Sequence, residues 1–192
     1  MGDHAMGQYE YFVILIVVLV GLAISDLIIC LHKLLAAGRR VQWHWAAPAV
    51  ALLSAVLVIG EFMSTWSSKT GTIRFSSVLP SVGLFALLYL GAAAALPDEV
   101  PPEGINLETF YFSNRAHFWG VMTLFMAAQT LLVAVNPLNQ ATTGFLFFVG
   151  QDSLVALVCA SLVWIRHAWW HAICVVAFLG VELLNWWDLQ LG

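Results

Sequence analysis

Apolar residues run along this chain in six long blocks separated by short polar or proline-containing breaks. The blocks lie at about Phe12 to Leu35, Trp45 to Met63, Val78 to Leu96, Phe118 to Val135, Phe145 to Ile165 and Ala168 to Leu189. Each is close to the roughly 20 apolar residues that a helix needs to cross a hydrocarbon layer about 30 Å thick. The blocks are continuously apolar rather than alternating, which excludes a barrel of half-wet strands and leaves helices as the way to satisfy the backbone in lipid. The breaks carry ordinary turn chemistry: Gly38, Arg39 and Arg40; Ser67 to Ser77; Pro97, Pro101 and Pro102; Asn136 and Pro137; and Arg166. Only the third is long. It is acidic and then aromatic through Phe110, Tyr111 and Phe112, the composition of a loop leading to a short helix at the membrane interface.

Composition strengthens this pattern. Of 192 residues, 61% are hydrophobic and 9% charged, whereas soluble domains carry about 25% charged residues; the mean hydropathy is +0.89. The expected fold is all-α: one polytopic transmembrane domain of six helices in a lipid bilayer, of the kind found in a bacterial-type inner membrane. Met1 to Glu10 lacks the basic flank and small-residue cleavage site of a signal peptide, so the first block is expected to remain as a true span. Cys30, Cys159 and Cys174 fall inside apolar blocks with no close pair, which argues against a disulfide framework. Eleven acidic against seven basic residues, with no basic cluster, exclude nucleic acid as a partner.

The basic residues orient the chain, because cytoplasmic connections are enriched in Lys and Arg. Lys33, Arg39, Arg40, Arg115 and Arg166 fall on one side, Lys69 and Arg74 on the other. Both termini are therefore expected outside, with the first, third and fifth connections in the cytoplasm.

Four carboxylates, Asp26, Glu61, Asp152 and Glu182, interrupt the apolar blocks. Each costs at least about 2.5 to 3.5 kcal/mol when charged near the bilayer centre. They are read either as points on a proton or cation pathway or as hydrogen-bonded groups that lock helices together. The last block is the most informative. At 100° per residue, His167, His171, Cys174, Glu182 and Asn185 form one polar stripe, expected to face the bundle interior or a subunit contact. On the first block Asp26, Cys30 and Lys33 share a face, with Ser25 and His32 beside them; on the second, Ser54, Glu61 and Thr65 align.

Five histidines, His32, His44, His117, His167 and His171, map to the same ends of their spans as Trp43, Trp45, Trp119, Trp169 and Trp170. The plainer reading is an interfacial belt of amphipathic rings. The sharper one is a zinc site in which His167 and His171, spaced i and i+4, present two nitrogens and His32 a third. A b-type haem between His44 and His171 is a further geometric option. Ser25 and His32 on one span, Asp152 on another and the HxxxH pair on the last partly resemble the membrane hydrolase superfamily that includes alkaline ceramidases and the progestin and adipoQ receptors. That resemblance implies zinc held by His32, His167 and His171 and an activated water attacking a lipid amide or ester. The chain departs from the family in having six spans rather than seven, and in placing its Asp four helices after the Ser and His rather than one.

The function these features favour is a channel or transporter for protons or small cations, with Asp26, Glu61, Asp152 and Glu182 on the pathway and Asn185 helping to hold Glu182. The zinc-dependent hydrolase and a non-catalytic accessory or sensor subunit are the alternatives. Six short helices enclose little volume, so a symmetric homo-oligomer is expected, with pores or contacts built from more than one subunit. The orientation has a direct test: a cysteine placed beside Arg40 should resist a membrane-impermeant maleimide applied from outside, and labelling there would reverse the topology.

Overall fold

The computed structural model describes residues 8–67, 75–135 and 145–187. It is an all-α bundle: α1 (Gln8–Ala37), α2 (Ala46–Ser67), α3 (Phe75–Ala95), α4 (Leu107–Val135), α5 (Phe145–Trp164) and α6 (Ala168–Trp187). Five are long and apolar enough to cross a membrane; the apolar part of α6, Ala168–Leu184, is shorter. The protein is a polytopic helical membrane protein. Leu154, Leu157, Val176 and Leu184 are well exposed along the outer helices, as lipid-facing positions should be. The connections through Lys69 and Arg74 and through Asn136 and Pro137 lie outside the described residues.

Helices α1, α2 and α3 pack on one another, α4 packs on α3 and carries α5, and α6 packs on α2. The adjacent helices α5 and α6 scarcely touch. Each therefore leans on a different inner helix, and the space between them stays open.

The first and third connections meet at one end of the bundle. Val41–Gln42 (β1) pairs in parallel with Ile105–Asn106 (β2), Val41 opposite Ile105 and Gln42 opposite Asn106. The Asn106 amide donates to Gln42 Oε1 at 2.8 Å, while its Oδ1 accepts from the backbone N–H groups of Glu108 and Thr109 at 2.9 and 3.1 Å. One side chain thus ties the two connections and caps α4. Lys33 Nζ adds a hydrogen bond to the Asp98 carbonyl at 2.8 Å. Gly38, with φ +54°, ends α1 in the left-handed conformation, and Arg39 and Arg40 follow at the negative end of its dipole.

That cap corrects one expectation. The segment leading into the fourth span is not a loop before a separate interfacial helix, because α4 begins at Leu107 and runs unbroken to Val135. Asn106 starts the helix, Glu108 in its first turn suits the helix dipole, and neither proline nor a φ-positive residue interrupts the next seven turns. The other spans begin and end within a few residues of the apolar blocks.

Gly104 sits where the two connections touch. Its φ is +93°, and a Cβ there would lie 2.4 Å from the Arg40 carbonyl oxygen. Gly38 has open space around it. Gly104→Ala should therefore destabilise the detergent-solubilised protein by about 2 kcal/mol or more, against about 1 kcal/mol for Gly38→Ala; thermal unfolding of the two variants side by side checks the order.

Candidate functional site

Of the polar stripe on the last span, His171, Cys174 and Glu182 on α6 turn inward, whereas His167, just before the helix, is exposed. His171 is fully buried and Cys174 nearly so, while Glu182 is half-buried. The stripe leads from a closed end, near the paired connections, into a cavity.

The closed end is a chain of hydrogen bonds among three buried rings. Trp119 Nε1–H donates to the Tyr111 hydroxyl at 2.9 Å, that hydroxyl lies 2.6 Å from His171 Nδ1, and His171 Nε2 lies 2.9 Å from the Ile165 carbonyl oxygen. A carbonyl can only accept, so Nε2 carries the hydrogen. In the singly protonated ring Nδ1 then accepts the Tyr111 O–H, whose oxygen accepts the indole N–H. Every donor meets an acceptor, which is what buried polar groups in a low-dielectric interior require. Phe112 stacks edge-on against His171 at 5.5 Å, and Phe178 lies 6.2 Å from Trp119.

Below this plug, α2, α4, α5 and α6 surround a cavity of about 470 Å³. Leu53 and Leu57, Met122 and Met126, Val155 and Val158, and Phe178 and Val181 supply most of its wall; Trp119, Trp170, Cys159 and Cys174 lie towards the plug. Asp152 on α5 and Glu182 on α6 lie at the other end. At 1.5 Å per residue, Trp170 and Glu182 mark a length of about 18 Å along α6. Among the described residues neither Asp152 nor Glu182 has a hydrogen-bond or ion-pair partner, and no Arg, Lys or His lines the cavity. Glu61 on α2 lies within electrostatic reach of Glu182 and accepts a hydrogen bond from Gln129 Nε2 at 3.3 Å. The three carboxylates come from three helices, each within about 7 Å of its helix midpoint. Helical periodicity alone could not reveal Gln129 as the partner of Glu61, 68 positions away.

The fourth acid stands apart. Asp26 joins Cys30 on α1 and Asp98 of the third connection, one potential ligand atom from each within 4.8 Å of the others. Cys30 Sγ lies 3.8 Å from Asp98 Oδ1, and the Lys33 ammonium is anchored to the same residue's backbone. A fixed positive charge therefore already stands beside the two carboxylates. The shared face of Asp26, Cys30 and Lys33 was legible as a helical pattern, whereas Asp98 was not. Near the same end a hollow between α3 and α4, also about 470 Å³, is lined by Asp98, Asn114 and His117; the Asn114 amide closes one side by donating to the Ala94 carbonyl at 2.6 Å.

The histidines do not converge. His32, His117 and His167 are exposed, His44 is half-buried with Nδ1 accepting from the Ala46 N–H at 3.4 Å, and both ring nitrogens of His171 are already engaged. Among the described residues the only grouping of three His, Cys, Asp or Glu side chains at ligand spacing is that of Asp26, Cys30 and Asp98. Zinc through His32, His167 and His171, and haem between His44 and His171, would each require breaking the His171 hydrogen bonds. Ser25 and His32 are exposed on α1, which packs on α2 and α3, so the residues behind the hydrolase resemblance do not form one site. Trp43, Trp45 and Trp169 keep the exposed positions of an interfacial belt, but Trp119 and His171 leave it for the interior. The side chain of Asn185, and His4, lie outside the described residues.

Comparison with family models, with curated proteins and with solved structures returns no match.

The plug makes its own prediction. Tyr111→Phe would leave both the Trp119 N–H and His171 Nδ1 without a partner, at about 1–3 kcal/mol for each buried group. The melting temperature should fall well below that of Ser113→Ala, which removes an exposed hydroxyl from the same helix; equal melting temperatures would mean the network carries no stability.

Proposed function

We propose that the protein couples the movement of protons across the membrane to that of a second solute, with Glu182 and Asp152 as the carboxyls that take up and release the proton. The observation behind this reading is that two carboxyls without a hydrogen-bond partner among the described residues, from two helices that scarcely touch each other, line one cavity near the middle of those helices. A charged carboxylate in such a wall is costly unless a counter-charge or water accompanies it. Gain and loss of a proton at these positions is thereby tied to what the cavity contains. Glu61, held by Gln129 and facing Glu182, is the third member and the route by which a proton leaves the cavity wall towards α2.

Protons suit this cavity better than metal cations. Calcium and magnesium ask for about six or more oxygen ligands at fixed distances, whereas the lining offers Asp152, Glu182 and Gln151 among apolar and thiol side chains. The helical backbone spends its carbonyls on its own hydrogen bonds. The open space between α5 and α6 supplies the route: α5 is carried by α4 and α6 by α2, and the two are joined near the closed end by the Trp170 N–H donating to Ser161 Oγ at 3.1 Å, so the gap lies towards the acids.

The test is proton flux in proteoliposomes under an imposed pH gradient with candidate solutes supplied on the opposite side, read with an entrapped dye. Flux should rise above that of empty liposomes, fall to that level in Glu182→Gln, fall by about ten-fold or more in Asp152→Asn, and stay unchanged in Glu103→Gln, an exposed acid of the third connection. Wild-type flux equal to empty liposomes, with or without a gradient of candidate solutes, would favour an accessory subunit whose acids serve packing.

A further inference from the structure

The cavity describes its occupant as well as its proton sites. We infer that it takes a lipophilic organic cation, an ammonium or phosphonium bearing apolar or aromatic groups, which enters sideways from the bilayer between α5 and α6. This rests on the proton-coupled reading above and names its second solute.

Three observations carry it. The first is charge: the lining holds two carboxyls and no basic side chain, so an anion would find no counter-charge and a neutral polar solute would find few partners. The second is shape and surface. A volume of about 470 Å³ falls in the range of roughly 300–1,000 Å³ usual for drug-sized ligands. Its walls are aliphatic and sulfur-containing, with the rings of Trp119, Trp170 and Phe178 available to a cation's face and to its apolar groups. Sugars, phosphates and amino acids need more hydrogen-bonding groups than Gln151 and the two acids supply. The third is access. Leu154 on α5 and Ile173 and Val181 on α6 both line the cavity and are 61%, 55% and 47% exposed. They form the two lips of a gap that faces lipid, while the Tyr111, Trp119 and His171 plug closes the end. A solute that partitions into the bilayer reaches such a gap without crossing an aqueous vestibule.

The exchange conserves charge. As the cation docks, one carboxyl O–H bond breaks, the electron pair stays on the oxygen, and the proton leaves to water; the cation and the new carboxylate form the neutral pair that the apolar wall tolerates. Reprotonation from the other side reverses the step and releases the cation.

The experiment uses the full chain in detergent micelles with tetraphenylphosphonium, beside tetraphenylborate, an ion of the same shape and opposite charge. Equilibrium binding is followed together with proton release in weakly buffered solution. The phosphonium should bind saturably with release of about one proton, and the borate should not saturate. Glu182→Gln, which keeps the side chain's shape, should weaken binding by about ten-fold or more. Ala177→Trp, placed at an exposed position on the cavity wall, should weaken it as much by filling the space; each variant is first matched to the wild type by size-exclusion profile. Equal binding of the two ions, or no saturable phosphonium binding, overturns the inference even if Glu182-dependent proton flux persists. Saturable phosphonium binding lost in both variants, but without proton release or flux, upholds the cation and overturns the proton coupling.

Discussion

A two-residue parallel pairing holds the two helical hairpins of this protein in register. Val41 and Gln42 meet Ile105 and Asn106 where α1 turns into α2 and α3 into α4. Lipid cannot supply this registration, since it is as apolar as the helix surfaces and does not press one helix against another as water would. The backbone hydrogen bonds of the pairing, the Asn106 cap and the close passage of Gly104 over Arg40 do so instead. With α2 and α4 fixed relative to each other, the helices that lean on them, α6 and α5, are held apart, and the cavity between them is the result.

The same dependence explains why the polar groups divide into two kinds. At the paired end nearly every polar side chain named above has a partner: Lys33 on Asp98, Asn114 on Ala94, Tyr111 between Trp119 and His171. Towards the middle of the bundle Asp152 and Glu182 have no hydrogen-bond or ion-pair partner among the described residues. Partnered groups stabilise one packing of the helices, whereas Asp152 and Glu182 bring no hydrogen bond to it among the described residues.

Much of the fold was legible in the sequence because the hydrocarbon thickness imposes a length and an all-round apolar surface that few other structures share. Six blocks, their approximate limits and the inward face of α6 follow from that constraint and from a period of 3.6. Helix α4 escaped because its first three turns, through Glu108, Ser113 and Arg115, are polar on one side, so that a hydropathy window registers only a break. The pairing of β1 with β2 was not legible at all: two residues carry no periodicity, and their partners lie 64 positions apart. For the site, spacing could place Glu182, His171 and Cys174 on one face but could not tell a ring in the headgroup belt from one drawn inside. His171 was grouped with His167 and His32 as ligands, yet it is buried and hydrogen-bonded to Tyr111 of α4, a partner 60 positions away that no spacing on α6 could reveal. Nor could spacing separate Asp26 from the other acids, since that separation depends on Asp98 reaching α1 from the third connection.

The ring chain at the closed end has a direction, and it ends at an indole. Tyrosine and imidazole can each both give and accept a proton, but the Trp119 nitrogen can only donate a hydrogen bond and has no lone pair with which to receive one. A proton stepping from ring to ring towards the cavity would stop there. The stack of aromatics over the cavity therefore interrupts the hydrogen-bonded chain at Trp119, so the rings of the closed end stand apart from Asp152 and Glu182 at the other end of the cavity.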